Sequence, residues 1–153
     1  MESVQTEAAE IVVAYRTKQE SSKRPVISSS DDAHRIAVEA FNRDTIELCE
    51  EFIVIYMNRA NKVLGVYKAG VGGVTGVVAD PRLVIAVALK IAAVSFIACH
   101  NHPSGSLRPS RQDQELTNKL KEGAKFMDLK LLDHLIIAPD LTSYLSMADE
   151  GLL

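Results

Sequence analysis

The chain has 153 residues, 47% of them hydrophobic and 24% charged, the size and mix of one globular domain whose core needs no disulfide or structural metal. Seventeen Lys and Arg against 20 Asp and Glu give a net charge of −3, so no global positive field draws the chain to phosphate backbones. No apolar run approaches the roughly 20 residues of a spanning helix, and MESVQTEAAE lacks the basic-then-apolar order of a signal peptide, so a cytoplasmic protein is expected.

In chain order, EIVVAYRTK (10–18) predicts an edge strand, and the breaker-rich KQESSKRP after it a loop. Ser28 to Asp32 offer N-caps before Ile36, Ala37, Ala40 and Phe41, which recur at helical spacing, so a helix is predicted from near Ser30. His34, in its first turn, reads as a solvated surface histidine. CEEFIVIYMN, the polar Arg59 to Lys62 and VLGVY predict a β-hairpin, and AGVGGVTG a loop or bulge, with no downstream Gly-Lys-Ser/Thr to make it a phosphate loop. Asp80-Pro81 caps and opens a helix through LVIAVALKIAA. SFIACHNH follows as a short strand. RQDQELTNKLKEGAKFM is an amphipathic helix with Leu116, Leu120, Ala124 and Met127 on one face; LKLLDHLIIAP is the last strand; and TSYLSMADEGLL is a short mixed tail. Strands alternating with helices give an α/β class with a mixed sheet. Cys49 and Cys99, each in an apolar segment, read as two buried thiols and not a bridge.

Chemistry concentrates in ACHNHPSGSLRPSRQDQ. His100 and His102 stand two apart at a strand end, so both imidazoles leave one face while Cys99 and Asn101 leave the other. Two neutral imidazoles on one face begin a zinc site, and the third ligand has to come from a segment that folds back. A turn at Pro103-Ser104-Gly105 and a helix start near Ser110 put Asp113 in the first helical turn, facing the histidines. Two His and one carboxylate leave a fourth position for water, as in catalytic zinc. Ser110 and Asp113 also read as the N-cap and first-turn acid of a near capping box, and the two roles are compatible. A base is still needed. Glu50 is in phase with Phe52, Val54 and Tyr56, and Glu51 with Ile53, Ile55 and Met57, so only one faces the site and the pattern alone leaves both open.

His100-x-His102, seven residues, then Ser110-x-x-Asp113, with an acid on an upstream strand, resembles the JAMM motif of the MPN/JAB metalloproteases. HNHPSG, PS-x-x-D and LLDHLII resemble the RadC-like branch, long labelled as DNA repair proteins, and the likeness runs from EIVVAY through EEFIVIYMNRANKVLG and GGVTGVVADPR to SYLSMADEGLL. It implies a three-layer MPN/JAB-like fold of cytidine-deaminase-like architecture, a mixed β-sheet flanked by helices, over 28–153, with a strand and loop at 1–27 before it. Longer members carry an N-terminal helix-hairpin-helix region, for which this chain has no room.

By position the resemblance makes His100, His102 and Asp113 the ligands of one Zn²⁺ per chain, Ser110 the residue that hydrogen-bonds the developing oxyanion or the metal-bound water, and Glu50, not Glu51, the general acid/base. Asn101, Pro103, Ser104 and Gly105 match as turn formers. Asp133 and His134 match either as a pair that orients a ligand or as a satisfied buried pair, the latter preferred. The activity implied is zinc-dependent cleavage of a peptide or isopeptide bond in a peptide or protein substrate. The alternative is a DNA repair or DNA-processing accessory without peptidase activity. Its basic candidates, Arg108, Arg111, Lys119, Lys121 and Lys125, read as a solvated face. A zinc deaminase is set aside because neither Cys49 nor Cys99 falls in a Pro-Cys-x-x-Cys arrangement. No membrane partner is expected, and the edge strands would allow a homodimer.

Overall fold

A computed structural model of the chain describes residues 12–73, 76 and 79–153. Helix α1 (Ser30–Val38) is followed by the hairpin β1 (Glu51–Met57) and β2 (Val63–Val71). Next come α2 (Pro81–Lys90), β3 (Ser95–Asn101), α3 (Arg111–Phe126), β4 (Lys130–Ile137) and the three-residue β5 (Tyr144–Ser146). The caps explain the starts: Ser29 accepts from Asp32 N–H, Asp80 from Arg82 N–H with Pro81 at the first turn, and Ser110 from Asp113 N–H.

The five strands form one mixed sheet in the order β2-β1-β3-β4-β5. Only β3 and β4 run parallel, and α3 makes the crossover that parallel neighbours require. Strands β1 and β3 lie at the centre, buried at every position, because both sheet faces are covered. On one face Ile53, Ile55, Ile97, Leu135 and Ile137 pack with Ala33 and Ala37 of α1; on the other Phe52, Val54, Tyr56, Phe96 and Ala98 pack with Val84 and Ala88 of α2 and Leu120 and Ala124 of α3. This is the expected three-layer α/β arrangement. Gly123 on α3 faces the Ile85 side chain of α2, whose Cδ1 would stand 2.8 Å from a Cβ there and would have to shift. The Tyr56 hydroxyl donates to Val84 O at 2.8 Å, tying the sheet to α2.

Several expectations are corrected. Residues 12–18 join no strand; Val12 and Val13 are exposed, and the Tyr15 hydroxyl donates to Leu64 O of β2 at 2.6 Å. β-propensity without apolar surface to cover does not make a strand. Glu10 and Ile11 lie outside the described residues. Among the described residues pairing begins instead at Val26, which bridges Lys62. In the glycine-rich stretch Gly70 and Val71 still belong to β2 and Gly73 bridges Gly76, while Val74, Thr75, Val77 and Val78 lie outside the described residues. The tail contains β5, antiparallel to β4. Met127 caps the C-terminus of α3 and is exposed, so it does not share the face of Leu120 and Ala124.

His34 is buried, not solvated: it stacks on Tyr144 with ring centroids 4.3 Å apart, and its Nε2 has no hydrogen-bond partner among the described residues. Cys49 and Cys99 are both free thiols, Cys99 buried and Cys49 half-buried.

Candidate metal centre

The site forms where β3 ends and α3 begins, on the face that carries α2 and α3. Alternation along β3 sends His100 toward this face, and His102 follows two residues on. The chain then reverses at Gly105, whose φ of +80° favours glycine and whose N–H donates to His102 O at 2.9 Å. The turn also brings Ser106 O within 2.7 Å of His102 Nδ1. Ser110 starts α3 with a full capping box: its hydroxyl accepts from Asp113 N–H at 3.1 Å, and its own N–H donates to Asp113 Oδ2 at 2.7 Å. That box holds the Asp113 carboxylate toward the histidines. Its Oδ1 lies 3.1 Å from His100 Nε2 and its Oδ2 3.3 Å from His102 Nε2. The two Nε2 atoms are 2.9 Å apart.

One ligand-type atom from each of these three residues lies within 4.8 Å of the others, so the group could hold a metal ion. The donor chemistry fits one. Ser106 O can only accept, so His102 Nδ1 carries the hydrogen and a neutral ring leaves its Nε2 as a bare lone pair. That lone pair faces a second ring nitrogen and a carboxylate. Burial opposes ionisation of Asp113, but wherever a proton in place of a metal sits on the facing Nε2 atoms, hydrogen bonds from His100 and His102 outweigh burial and hold the carboxyl well below the usual range. Burial likewise disfavours a charged His102, yet the Asp113 hydrogen bond, the Ser106 carbonyl and the Glu50 charge raise its pKa. The site therefore favours positive charge.

Of the two acids at the start of β1, Glu50 lines the cavity in front of the histidines, together with Phe52, His102, Ser110 and Asp113. Its backbone carbonyl accepts from Gly72 N–H at 2.7 Å. Glu51 points to the opposite face, 97% buried, with Lys68 Nζ at 2.7 Å. The antiparallel register, Phe52 opposite His100, sets this choice. The cavity measures about 310 Å³, and Arg108, Gln112 and Leu116 complete much of its wall.

Three roles differ from the sequence reading or were absent from it. Asn101 is no turn former but a tether: its Oδ1 accepts from Glu51 N–H at 2.7 Å, and its Nδ2 donates to Ile46 O and Cys49 O at 2.9 and 3.0 Å. Asp133 and His134 are both buried and satisfied, and Asp133 Oδ1 accepts from His134 N–H at 2.7 Å, but their side chains serve different partners. Asp133 accepts from the Ser146 hydroxyl at 2.5 Å and from Ala148 N–H at 2.9 Å, whereas the His134 ring meets His100, Nε2 to Nδ1 at 2.8 Å. Thr117, which local pattern did not single out, lies behind His134. Phe52 stacks near the His100 ring, centroids 6.0 Å apart.

A family model of the RadC-like JAB domain matches residues 27–152. The chain belongs to that family. RadC-like JAB domains are part of the JAMM-related hydrolase superfamily, so the coarse expectation of a hydrolase-related fold stands. Relatives include a UPF0758 protein of Porphyromonas gingivalis, 39% identical over 135 residues, which cover 88% of this chain and 58% of that protein. A UPF0758 protein of Flavobacterium johnsoniae is 45% identical over 103 residues, 67% of this chain and 44% of that one. One of Bacillus pumilus is 35% identical over 135 residues, 88% and 58% of the two chains. The chain thus spans about half the length of the curated relatives it matches. Among the described residues, no helix of this RadC-like domain is long and apolar enough to cross a membrane.

Proposed function

We propose that this RadC-like JAB domain is a zinc-dependent hydrolase that cuts a peptide or isopeptide bond in a cytoplasmic peptide or protein substrate. The observation that carries the reading is the single cavity onto which Glu50, Ser110, His102 and Asp113 open, with His100 behind them. Two imidazoles and a carboxylate suit zinc. His100 and His102 would hold it through Nε2 and Asp113 through its carboxylate. Zinc, when bound, supplies Lewis acidity that brings a water's pKa toward ~7 and polarises a carbonyl.

The remaining work falls to side chains. Glu50, half-buried at the cavity wall, takes the proton of the attacking water on its carboxylate and returns it to the departing amine. The Ser110 hydroxyl already accepts from Asp113 N–H, which leaves its hydrogen for the substrate carbonyl oxygen as negative charge develops there. Phe52 and Leu116 give the cavity an apolar wall against which the amide can lie. The net charge of −3 gives a nucleic-acid partner no general attraction.

The test is zinc content and hydrolysis of peptide and lysine-isopeptide substrates by untagged protein. Glu50→Gln is expected to keep one zinc per chain and lose roughly 10²–10⁴-fold in turnover, while His102→Ala loses both. Equal zinc loss in the two variants would end the division of roles, and a wild-type protein that takes up no zinc would overturn the reading.

A further inference from the structure

His102 has a backbone carbonyl to fix its hydrogen; His100 does not. The His100 Nδ1 instead faces His134 Nε2 at 2.8 Å, and an imidazole can donate or accept at either nitrogen. By itself this contact leaves the tautomer of both rings undetermined. The other side of His134 removes the ambiguity. Its Nδ1 lies 2.6 Å from Thr117 Oγ1, and that hydroxyl lies 2.6 Å from Asp113 O.

Donor rules then fix every hydrogen in the series. A carbonyl only accepts, so the Thr117 hydrogen points at Asp113 O, and Met147 Sδ at 3.8 Å does not compete. With its one hydrogen committed, Thr117 Oγ1 accepts, and His134 carries its hydrogen on Nδ1. His134 is fully buried and among the described residues its ring nitrogens meet only Thr117 and His100, so the ring is neutral and its Nε2 is an acceptor. The remaining donor is His100 Nδ1–H. His100 Nε2 is therefore a lone pair, aimed at the point where His102 Nε2 and Asp113 Oδ1 converge.

We propose that Thr117 and His134 are positioning residues that hold His100 in the Nδ1–H tautomer, so that its Nε2 is ready to bind a metal ion. The assignment rests on the metal-binding reading of the site. The series starts and ends on one residue, since Asp113 supplies a carboxylate to the site and the carbonyl that orients Thr117. Removing the Thr117 hydroxyl lets His134 reverse, donate from Nε2 to His100 Nδ1, and so place the His100 hydrogen on Nε2, where it blocks coordination.

The experiment uses the full chain with Thr117→Val, which keeps the side-chain shape, and Thr117→Ser, which keeps the hydroxyl. Zinc affinity by competition with a chromophoric chelator is expected to fall about 10–100-fold in Thr117→Val and to recover in Thr117→Ser. Long-range ¹H–¹⁵N spectra of metal-free wild type, at a pH where the rings are neutral, are expected to show Nδ1–H for both His100 and His134. Wild-type zinc affinity in Thr117→Val, or an Nε2–H His100 in wild type, overturns the proposal. A wild type that binds no zinc overturns the hydrolase reading instead, and the spectra still decide the tautomers, as they do if Thr117→Val fails to fold.

Discussion

Asn101 is a polar residue on a strand buried along its whole length, and all of its side-chain hydrogen-bonding groups but one acceptor lone pair are in use. It fastens the segment before β1 to the end of β3, which sets where Glu50 enters the cavity. In Asn101→Ala the Glu51 N–H and the Ile46 and Cys49 carbonyls lose their partner, and a buried group left in this state costs about 1–3 kcal/mol. Urea unfolding should show a loss within that range or above it, and a loss below about 0.5 kcal/mol would mean water reaches these groups. His34 makes a different prediction. Burial lowers its pKa, against the opposing charges of Asp31 and Asp140 and the Leu141 backbone. The unfolded chain takes up a proton near the ordinary value of 6.5 and the folded chain only at lower pH. Stability is therefore complete above about 6.5 and falls as pH drops below it. In His34→Phe, which keeps a ring against Tyr144, the difference in stability from wild type should shift in favour of the variant as pH falls from 7 to 5. A pH-independent difference would remove His34 as a source of the slope.

At the scale of elements, α3 depends on one capping box that also aims Asp113. Ser110→Ala removes the side-chain cap but keeps the backbone bond from residue 110 to Asp113 Oδ2, so stability should drop by about 1 kcal/mol with zinc still held. If Ser110 also donates to the developing oxyanion, turnover falls a further roughly 10²–10³-fold; activity that drops no more than the folded fraction would leave Ser110 a cap and nothing else. The helix starts were legible because Ser29, Asp80 and Ser110 announce themselves locally, and the central strands because short apolar runs, six residues in β1 and four in β3, read as buried strands. The approach of His100, His102 and Asp113 was legible for the same reason: a strand end, a glycine turn and a cap lie within one short stretch. What escaped was set by distance along the chain. β5 is three residues held by β4, and its strand character comes from that partner alone. His34 is buried by Tyr144, which stands 110 residues later. Thr117 and His134 meet from α3 and β4, 17 residues apart, and no local pattern links a helical threonine to a strand histidine. Between Glu50 and Glu51 the resemblance selected Glu50, but the physical reason lies in the β1–β3 register, which alternation on one strand cannot supply.

On the scale of the whole molecule, the candidate centre joins two parts of the fold that otherwise meet through apolar contacts and the Thr117–His134 hydrogen bond. His100 and His102 belong to the central sheet and Asp113 to the helix that covers it, so an ion bound by all three cross-links β3 to the first turn of α3. Binding to the folded state alone adds stability by mass action, about 2.7 kcal/mol at a free ion concentration 100 times Kd, or roughly 5–10 °C in Tm for a domain of this size. Zinc-loaded protein should therefore melt higher than chelator-treated protein by about that margin, with the added hydrogen-exchange protection concentrated at residues 100–117. His100→Ala should show neither effect. A rise in Tm that persists in His100→Ala would place the ion elsewhere on the chain, and protection spread evenly over the sheet would mean that the ion stabilises the fold globally without clamping α3 to β3.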